Sequence, residues 1–512
     1  MKNQLVESGL NGPENEPDGG RRDVRSILVA GWLWLGAGGM AVAVAGEAVA
    51  GRERVFDTPG SGEERCIALN RMPGAEYSET DREIEAQFCD IDFHADNVAL
   101  CPKTWSTSPA TIVYDVAETR YDRKAGEFEE EVCPMGGRAR SAARRELAIF
   151  KVSMNAVDTS ATHSKSALLY YHFSRYFRTR VGVPVAVYRS MDRGAHRLRV
   201  VDPGIRLTAD RDALKMIHAG WLHLREADLD PAAYRNRAEL ITQDGARVYG
   251  VLLLESGRRY GPELNGTRAS GWGVGQARDF QRTAPFLALR TAGPLSGAIA
   301  SGLEQARTDP EMARALGARV DAAQMAFWMQ ELTEIVLLDF LFDQQDRIGN
   351  IDYESRWHWW EDGQFRTRPA ANVNVPADIA AFTPVRLRRS RINDNDAGGR
   401  RAYVNYAEDT AMLEGLRHFN PGLYQRLARL ARDFSERGEL YQYVRAGFGL
   451  PDSYLEHLAG QISAAFVILA DSCEAGDLAF DLEPETFLRD GGAQLRQVDC
   501  ASGRMLAGSA DE

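Results

Sequence analysis

The chain has 512 residues, of which 44% are hydrophobic and 26% are charged, and this is the composition of an ordinary globular protein. That length accommodates two or three domains, or one large two-lobed domain. The formal net charge is -12, which argues against a general nucleic-acid-binding protein because such proteins carry a basic surplus. We therefore expect no nucleic-acid partner.

The N-terminal region contains an uncharged apolar run at residues 27–45, and Arg21, Arg22 and Arg25 precede it. Small residues spaced as in a signal-peptidase site follow the run. This pattern predicts a secretory signal peptide, or an uncleaved signal anchor, behind a disordered start within residues 1–50. We expect an exported protein, periplasmic or extracellular, or one anchored in the inner membrane. Its only predicted membrane contact is this apolar segment.

The chain contains six cysteines, and an even number in an exported protein fits three disulfides. No two cysteines form a Cys-x-x-Cys pair and no histidine stands at ligand spacing, so we expect no zinc site. Cys473 and Cys500 are predicted to pair with each other. The four other cysteines, which allow three pairings, are Cys66, Cys89, Cys101 and Cys133.

The first half of the chain is predicted to be rich in β-structure. Residues 51–65 have the composition of a linker, within a cysteine-bearing N-terminal extension at 51–135, and a β-rich lobe is predicted at 136–260. Runs of β-branched residues predict the strands, and three- and four-residue apolar spacing predicts one helix. The predicted elements are strands at 110–116 and 146–153, a helix at 164–180, and strands at 183–189 and 246–254.

The second half is predicted to be helical, with helices dominating from about residue 310. Residues 261–319 are rich in glycine and aromatic residues and are predicted to connect the two lobes, and residues 473–512 are predicted to form a tail. The predicted helices within the lobe at 320–472 are 320–343, which is apolar nearly all round and therefore buried, then 408–418, 420–447 and 452–472. A β-rich lobe followed by an α-rich lobe predicts an α+β fold.

Lys151 is the first candidate functional residue, because it lies inside a predicted apolar strand in a chain that has only six lysines. A buried charge is costly unless it is paired. A kinase meets that need by placing such a lysine on the nucleotide phosphates and on a glutamate of the next helix. The predicted helix at 164–180 contains no acid, so another residue such as Glu146 supplies the partner, or Lys151 works differently. The alternative is a solvent-facing lysine of an edge strand.

An acidic turn follows the long predicted helix and carries Asp346, Arg347, Asn350 and Asp352. In kinases an Asp at such a turn serves the acceptor hydroxyl, and an Asn just after it binds the metal on the nucleotide. We therefore assign Asp346 to the acceptor, and Asn350 and Asp352 become candidate metal ligands. The alternative is a solvated loop at the end of the helix.

A second acidic turn, at 394–398, offers two more carboxylates. Asp396 begins an Asp-x-Gly sequence and is the first choice for a Mg²⁺ or Mn²⁺ ligand, with Asp394 as the alternative. An EF-hand is excluded because no glutamate stands at the twelfth position of a loop that begins at either residue. Gly136 and Gly137, just before the lysine strand, are candidate phosphate-binding glycines.

With these motifs the chain resembles the atypical kinases of the HipA-like and Golgi secretory-pathway (Four-jointed-type) group. Those families pair an Asp-Arg turn after a buried helix with a later metal-binding turn. The matching residues here are Asp346-Arg347 and the turn at 394–398, with Lys151 as the strand lysine. The resemblance implies a two-lobed protein-kinase-like fold that binds ATP or another nucleotide and transfers phosphate to a hydroxyl on a protein or glycan.

Two departures from the kinase pattern favour an alternative function. The helix glutamate is missing, and Asp346 and Asn350 are four residues apart rather than five. A catalytically inactive pseudokinase that acts as an envelope binding protein would have both features. A third hypothesis, a carbohydrate-active envelope enzyme, comes from the glycine- and aromatic-rich stretch at 257–290. A serine hydrolase is not supported, because the chain has no Gly-x-Ser-x-Gly.

Overall fold

A computed structural model describes most of the chain after the predicted signal segment. The described residues are 49–58, 62–154, 162–209, 211, 214–234, 237–318, 320–399 and 404–506. The predicted signal or anchor at 27–45 therefore lies outside them. Among the described helices, none combines the length and the hydropathy that a membrane crossing requires.

Seven antiparallel strands form the larger of two sheets, in the spatial order β1-β2-β6-β7-β5-β4-β3. Strands β3, β4, β6 and β7 are buried at almost every position, so both faces of the sheet are covered there. The strands are β1 (Gly51–Asp57), β2 (Glu63–Leu69), β3 (Val98–Pro102), β4 (Thr111–Asp115), β5 (Arg145–Val152), β6 (Ala186–Asp192) and β7 (Arg247–Leu253).

The four strands predicted from β-branched runs are confirmed as β4, β5, β6 and β7, with shifts of a few residues at their ends. The predicted linker at 51–65 is wrong, because β1 and the start of β2 occupy it. Strand β1 lies at the edge of the sheet and is mostly exposed, so it carries charged residues, as edge strands commonly do. The sheet also crosses the boundary predicted between the 51–135 extension and the 136–260 lobe.

The described residues before β7 form seven α-helices, whereas the sequence predicted one. That one, predicted at 164–180, is confirmed as α3. Helix α1 had a readable signal that was missed: the Ser78 hydroxyl accepts from Asp81 N, and the Asp81 carboxylate accepts from Ser78 N. The helices are α1 (Glu79–Cys89), α2 (Ala125–Glu131), α3 (Ser164–Phe177), α4 (Arg193–His196), α5 (Asp202–Thr208), α6 (Lys215–Leu229) and α7 (Arg237–Leu240).

Helices were predicted to dominate from about residue 310, and the structure shows that this run of helices begins earlier, at Pro262, within the predicted connecting region. They are α8 (Pro262–Asn265), α9 (Val274–Phe280), α10 (Ala284–Leu289), α11 (Leu295–Ala306), α12 (Pro310–Leu316) and α13 (Ala322–Leu341). The long helix predicted at 320–343 is confirmed as α13, in which every residue from Gln324 to Leu341 is buried.

A second, four-stranded sheet interrupts the predicted helical lobe. It has the order β10-β9-β11, and β8 pairs with β9. Its strands are β8 (Arg258–Arg259), β9 (Ile351–Glu361), β10 (Gln364–Pro369) and β11 (Val385–Ile392). The sequence did not predict this sheet because β10 and β11 are rich in arginine and do not show the alternation of apolar and polar residues that is typical of a strand.

The remaining helices are α14 (Tyr406–Asp409), α15 (Pro421–Ser435), α16 (Glu439–Gly447), α17 (Asp452–Glu474) and α18 (Pro484–Asp490). The helix predicted at 452–472 is confirmed as α17. The helix predicted at 420–447 is divided into α15 and α16, and most of the segment predicted as helix 408–418 forms turns. With its sheet-rich N-terminal region and helical C-terminal region, the chain has the predicted α+β organisation.

All six cysteines are oxidised, which confirms the prediction of three disulfides. The pairs are Cys66–Cys89, Cys101–Cys133 and Cys473–Cys500. The last is the pair that the sequence predicted, and it attaches the C-terminal segment to the end of α17. Three disulfides indicate an oxidising, exported compartment.

Candidate functional site

The two acidic turns lie side by side because of the register of the second sheet. Strand β9 begins one residue after Asn350, and β11 ends one residue before Asn393. Ile351 pairs with Ile392 across these antiparallel strands. The backbone N–H of Asn393 also donates to Asn350 O over 3.3 Å. Segments more than forty residues apart in the sequence are thereby held at one end of the β9–β11 pair.

Arg347 is a buried residue of the first turn, and its side chain bonds to α13 and to the second turn. Its guanidinium donates to the Asp339 carboxylate on α13 over 3.0 and 3.1 Å. It also donates to Asn393 O over 2.7 Å and to Asn395 Oδ1 over 2.8 Å. The Tyr170 hydroxyl donates to the same Asp339 carboxylate over 2.7 Å. Arg347 therefore fixes the second turn relative to the end of α13.

The second turn depends on one left-handed residue and on one glycine at a close approach. Asp394 adopts a left-handed conformation with φ 51°, which aspartate tolerates better than most residues. At Gly398 any side chain would collide with α13, because a Cβ there would lie 2.7 Å from Phe342 O. The glycine of the Asp-x-Gly sequence is thus required by close packing.

Lys151 on β5 reaches the same place from the large sheet. Its Nζ donates to Glu255 Oε1 over 2.7 Å, and to Asp394 Oδ1 and Asp396 Oδ1 over 2.8 Å each. The Lys151 side chain is only 2% exposed. Burial by itself would lower the pKa of its ammonium, but the three carboxylates raise that pKa well above its usual value. Lys151 is therefore a buried cation surrounded by acids.

Glu255, just after β7, is an acidic partner of Lys151, and it takes the place of the glutamate that the helix at 164–180 lacks. It is held in place because its Oε1 also accepts from Asp394 N over 2.9 Å. Glu146, the acid named as a substitute, pairs with Arg140 at 3.4 Å instead. Nothing in the sequence around Glu255 marks it. Its role follows from the adjacency of β5 and β7 in the sheet.

The pKa values of Asp394 and Asp396, two of the carboxylates around Lys151, shift in opposite directions. Against the effect of burial, Lys151 and then Lys103 lower the pKa of Asp394. Burial raises the pKa of Asp396, and the neighbouring Asp394 acts in the same direction. Glu255, Asp394 and Asp396 each have one carboxylate oxygen that lies within 4.8 Å of the oxygens of the other two residues. These three oxygens are close enough together to hold one metal ion.

Asp346 lies at the cavity side of the first turn, where its carboxylate reaches solvent. The concave surroundings still remove much of its water, and this burial, together with the charge of Asp394, raises its pKa to about 6. Its backbone is fixed on both sides, because Asp346 N donates to Gln344 Oε1 over 3.0 Å and Asp346 O accepts from Asn350 Nδ2 over 2.7 Å. A carboxylate with this pKa suits proton transfer near neutral pH.

Arg259 on β8 bonds to the two other candidate metal ligands of the first turn. Its Nη1 donates to Asn350 Oδ1 over 2.8 Å, and its Nε donates to Asp352 Oδ1 over 2.6 Å. The other oxygen of Asp352 accepts from Asn393 Nδ2 over 2.9 Å. Asn350 and Asp352 thus lie at the site, but a metal would have to compete with Arg259 for their oxygens.

All these turns face one cavity of about 740 Å³. Its lining includes Lys103 and three arginines, and also the carboxylates of Glu255, Asp394 and Asp396, which we call the acidic floor. Gly136 and Gly137 are not among its lining residues; a Cβ at Gly136 would instead lie 3.6 Å from the ring of Trp105. The lining is Lys103, Trp105, Ser106, Thr107, Ser108, Arg140, Thr162, Glu255, Ser256, Gly257, Arg259, Arg268, Asp346, Asn350, Asp352, Asn393, Asp394, Asp396 and Ala397.

A larger cavity of about 1160 Å³ lies along α1 and the end of α3, and Ser256 lines both cavities. Charged residues in its walls are paired with each other. Arg175 bonds to Asp81 at 2.7 Å, and Arg145 bonds to Asp115 at 3.4 Å. The smaller cavity is therefore the better candidate site, because it combines a buried cation, clustered carboxylates and a carboxylate with a raised pKa.

No protein-family model matches this chain, and no curated protein resembles its sequence significantly. The geometry of the cavity is therefore the basis for inferring a function. That geometry brings Lys151, Asp394 and Asp396 into direct contact and places Asp346 and Asn350 in the same lining. Gly136 and Gly137 lie outside it.

Proposed function

We propose that this protein is an exported, metal-dependent, kinase-like phosphotransferase that moves a nucleotide phosphate to a hydroxyl on a protein or glycan. The observation that carries the proposal is the convergence of Lys151, the second acidic turn and Asp346 on one cavity. Phosphoryl transfer needs little covalent chemistry from the protein. It needs a held metal, cations on the phosphates and an oriented acceptor.

The order of elements around the cavity supports this proposal. The loop between β3 and β4 lines the cavity, the lysine strand β5 comes later in the same sheet, and helix α3 follows it. In protein kinases a loop covers the phosphates, the lysine lies on a sheet strand, and the metal and acceptor residues come from the second lobe. Here Asp346 and the 394–398 turn come from the helical C-terminal region.

The proposed cofactors are ATP or another nucleotide with Mg²⁺ or Mn²⁺. Asp394 and Asp396, with Glu255, would hold the metal, because hard carboxylate oxygens are the ligands these ions prefer. The metal would neutralise charge on the phosphates during transfer. Asp346 would orient the acceptor hydroxyl and accept its proton.

Nucleotide binding is the first test. We expect ATP with Mn²⁺, at a hundred times its dissociation constant, to raise the free energy of unfolding by roughly 2.7 kcal/mol, because only the folded protein has the site. The measurement is thermal unfolding with the metal alone, the nucleotide alone and both together. Asp396→Ala should lose the metal-dependent part of the increase.

Asp378→Ala is the matched control, since Asp378 is an acid of the second region that pairs with Arg368 and does not line the cavity. It should respond to ATP and Mn²⁺ as the wild type does. If the wild type is not stabilised by any nucleotide with any divalent metal, the phosphotransferase proposal fails.

Asp346→Asn should separate binding from transfer. We expect this variant to keep its stabilisation by nucleotide and metal but to transfer phosphate about 100-fold more slowly or worse, because the base for the acceptor hydroxyl is lost. The measurement is transfer of labelled γ-phosphate to secreted proteins and glycans. Full transfer activity in Asp346→Asn would remove Asp346 from this role.

A wild type that binds nucleotide without any transfer would instead support the inactive envelope binding protein. Two observations favour that second candidate. Three carboxylates already surround Lys151, and Arg259 bonds to the amide oxygen of Asn350.

A further inference from the structure

Lys151 is poorly placed to contact a nucleotide directly. Its Nζ already bonds to three carboxylates at 2.7 to 2.8 Å, and its side chain is 2% exposed. An ammonium in that position acts on the carboxylates around it. If a triphosphate binds in the cavity, another cation must meet it first.

Lys103 is the lysine of the cavity lining, and its ammonium remains available. Among the residues that the structure describes, its ammonium forms no hydrogen bond and no ion pair, although it lies close enough to Asp394 to lower the pKa of that carboxyl. Of the three arginines of the lining, two are already bonded to carboxylates, and the third, Arg268, stacks on an aromatic ring. Arg140 pairs with Glu146 at 3.4 Å, Arg259 bonds to Asp352 at 2.6 Å, and Arg268 stacks on Trp272 at 4.3 Å.

The backbone at Lys103 is fixed, so its side chain extends from a defined point. Lys103 directly follows β3, and its N–H donates to Ala110 O over 2.8 Å, which closes the β3–β4 loop. Two residues earlier, Cys101 forms its disulfide with Cys133. The rest of the loop, residues 105–108, lines the cavity with one aromatic and three hydroxyl side chains.

The scarcity of lysine in this chain independently favours a functional role for Lys103. The chain has 61 basic residues but only six lysines; one of them, Lys103, lines this cavity, and another, Lys151, bonds to three of the lining carboxylates. Arginine is used almost everywhere else. A lysine ammonium is a compact point charge that suits a phosphate oxygen, whereas a guanidinium is planar and wider.

We propose that Lys103 binds the phosphates of the nucleotide donor directly, and that Lys151 is a positioning residue that holds Asp394 and Asp396 for the metal. This inference rests on the proposed function and assigns its phosphate contact to the β3–β4 loop. Lys103 then approaches the phosphates from the sheet side while the metal neutralises them from the acidic floor.

The experiment compares Lys103→Met and Lys103→Arg with the wild type in thermal unfolding and calorimetric titration. The probes are adenosine, ADP and ATP, each with Mn²⁺. We expect Lys103→Met to bind ATP about 10- to 100-fold more weakly, since a charge-assisted hydrogen bond is lost, and to bind adenosine unchanged. Lys103→Arg should recover only part of the ATP affinity.

Lys124→Met is the matched control, because Lys124 is an exposed lysine that pairs with Glu127 and does not line the cavity. It should bind ATP as the wild type does. Unliganded melting shows whether Lys103→Met is folded; it should match the wild type because Lys103 forms no ion pair there. If the wild type binds ATP and Lys103→Met binds it equally well, this inference is wrong and the proposed function stands. If the wild type binds no nucleotide, the proposed function fails first.

Discussion

Replacing Arg347 by methionine is expected to lower the free energy of unfolding by about 3–5 kcal/mol and to abolish stabilisation by nucleotide and metal. Methionine fills much of the volume but leaves the buried Asp339 carboxylate without its cation, and it also removes the bonds to Asn393 O and Asn395 Oδ1. The second acidic turn then loses the hydrogen bonds that connect it through Arg347 to α13. Chemical denaturation with and without ATP and Mn²⁺ measures both effects.

Two further variants show whether the loss is specific to the site. Arg389→Met removes another buried arginine, which pairs with Glu331 on α13 and does not line the cavity. It should lose comparable stability and still be stabilised by nucleotide. Adding Asp339→Asn to Arg347→Met removes the unpaired carboxylate and should recover part of the stability. An Arg347→Met protein that binds nucleotide normally would show that the turns do not need this arginine.

Local patterns in the sequence were sufficient for several of the buried elements. Strands β4 to β7 and helix α13 were found because apolar residues recur in them with the period of their structure. The buried strand β3 was missed because it is short, and other elements were missed because they are polar on the surface. Strand β1 is charged because it is an edge strand, and β10 and β11 are rich in arginine. None of these three strands shows the apolar pattern from which strands are predicted.

The sequence likewise identified some residues of the candidate site and not others. Asp346, Asp394 and Asp396 could be chosen from the sequence because short acidic turns next to a buried helix are a local signal. Glu255 and Lys103 could not, because their importance comes from strand neighbours. The β5–β7 pairing brings Glu255 to Lys151, and the β3–β4 loop brings Lys103 over the acidic floor. Non-local pairing of this kind leaves no mark at either residue.

Replacing Lys151 by methionine is expected to have the second large effect, and the size of this effect depends on the metal. Without a divalent cation the variant should lose about 3–5 kcal/mol of unfolding free energy, because Glu255, Asp394 and Asp396 remain in contact without a positive charge. Millimolar Mn²⁺ should restore most of that loss. The carboxylate oxygens that bond to the ammonium lie close enough together to bind one cation instead.

Melting curves with and without Mn²⁺, in the absence of nucleotide, make the comparison. Lys165→Met is the control, since Lys165 is equally buried but its Nζ donates to a backbone carbonyl, Gly449 O, over 2.6 Å. It should be destabilised in both conditions and gain nothing specific from Mn²⁺. A larger Mn²⁺ response in Lys151→Met than in the wild type would mean that the ammonium and the metal compete for the same carboxylates. An equal response would place the metal elsewhere, and Asp396 would lose its assigned role.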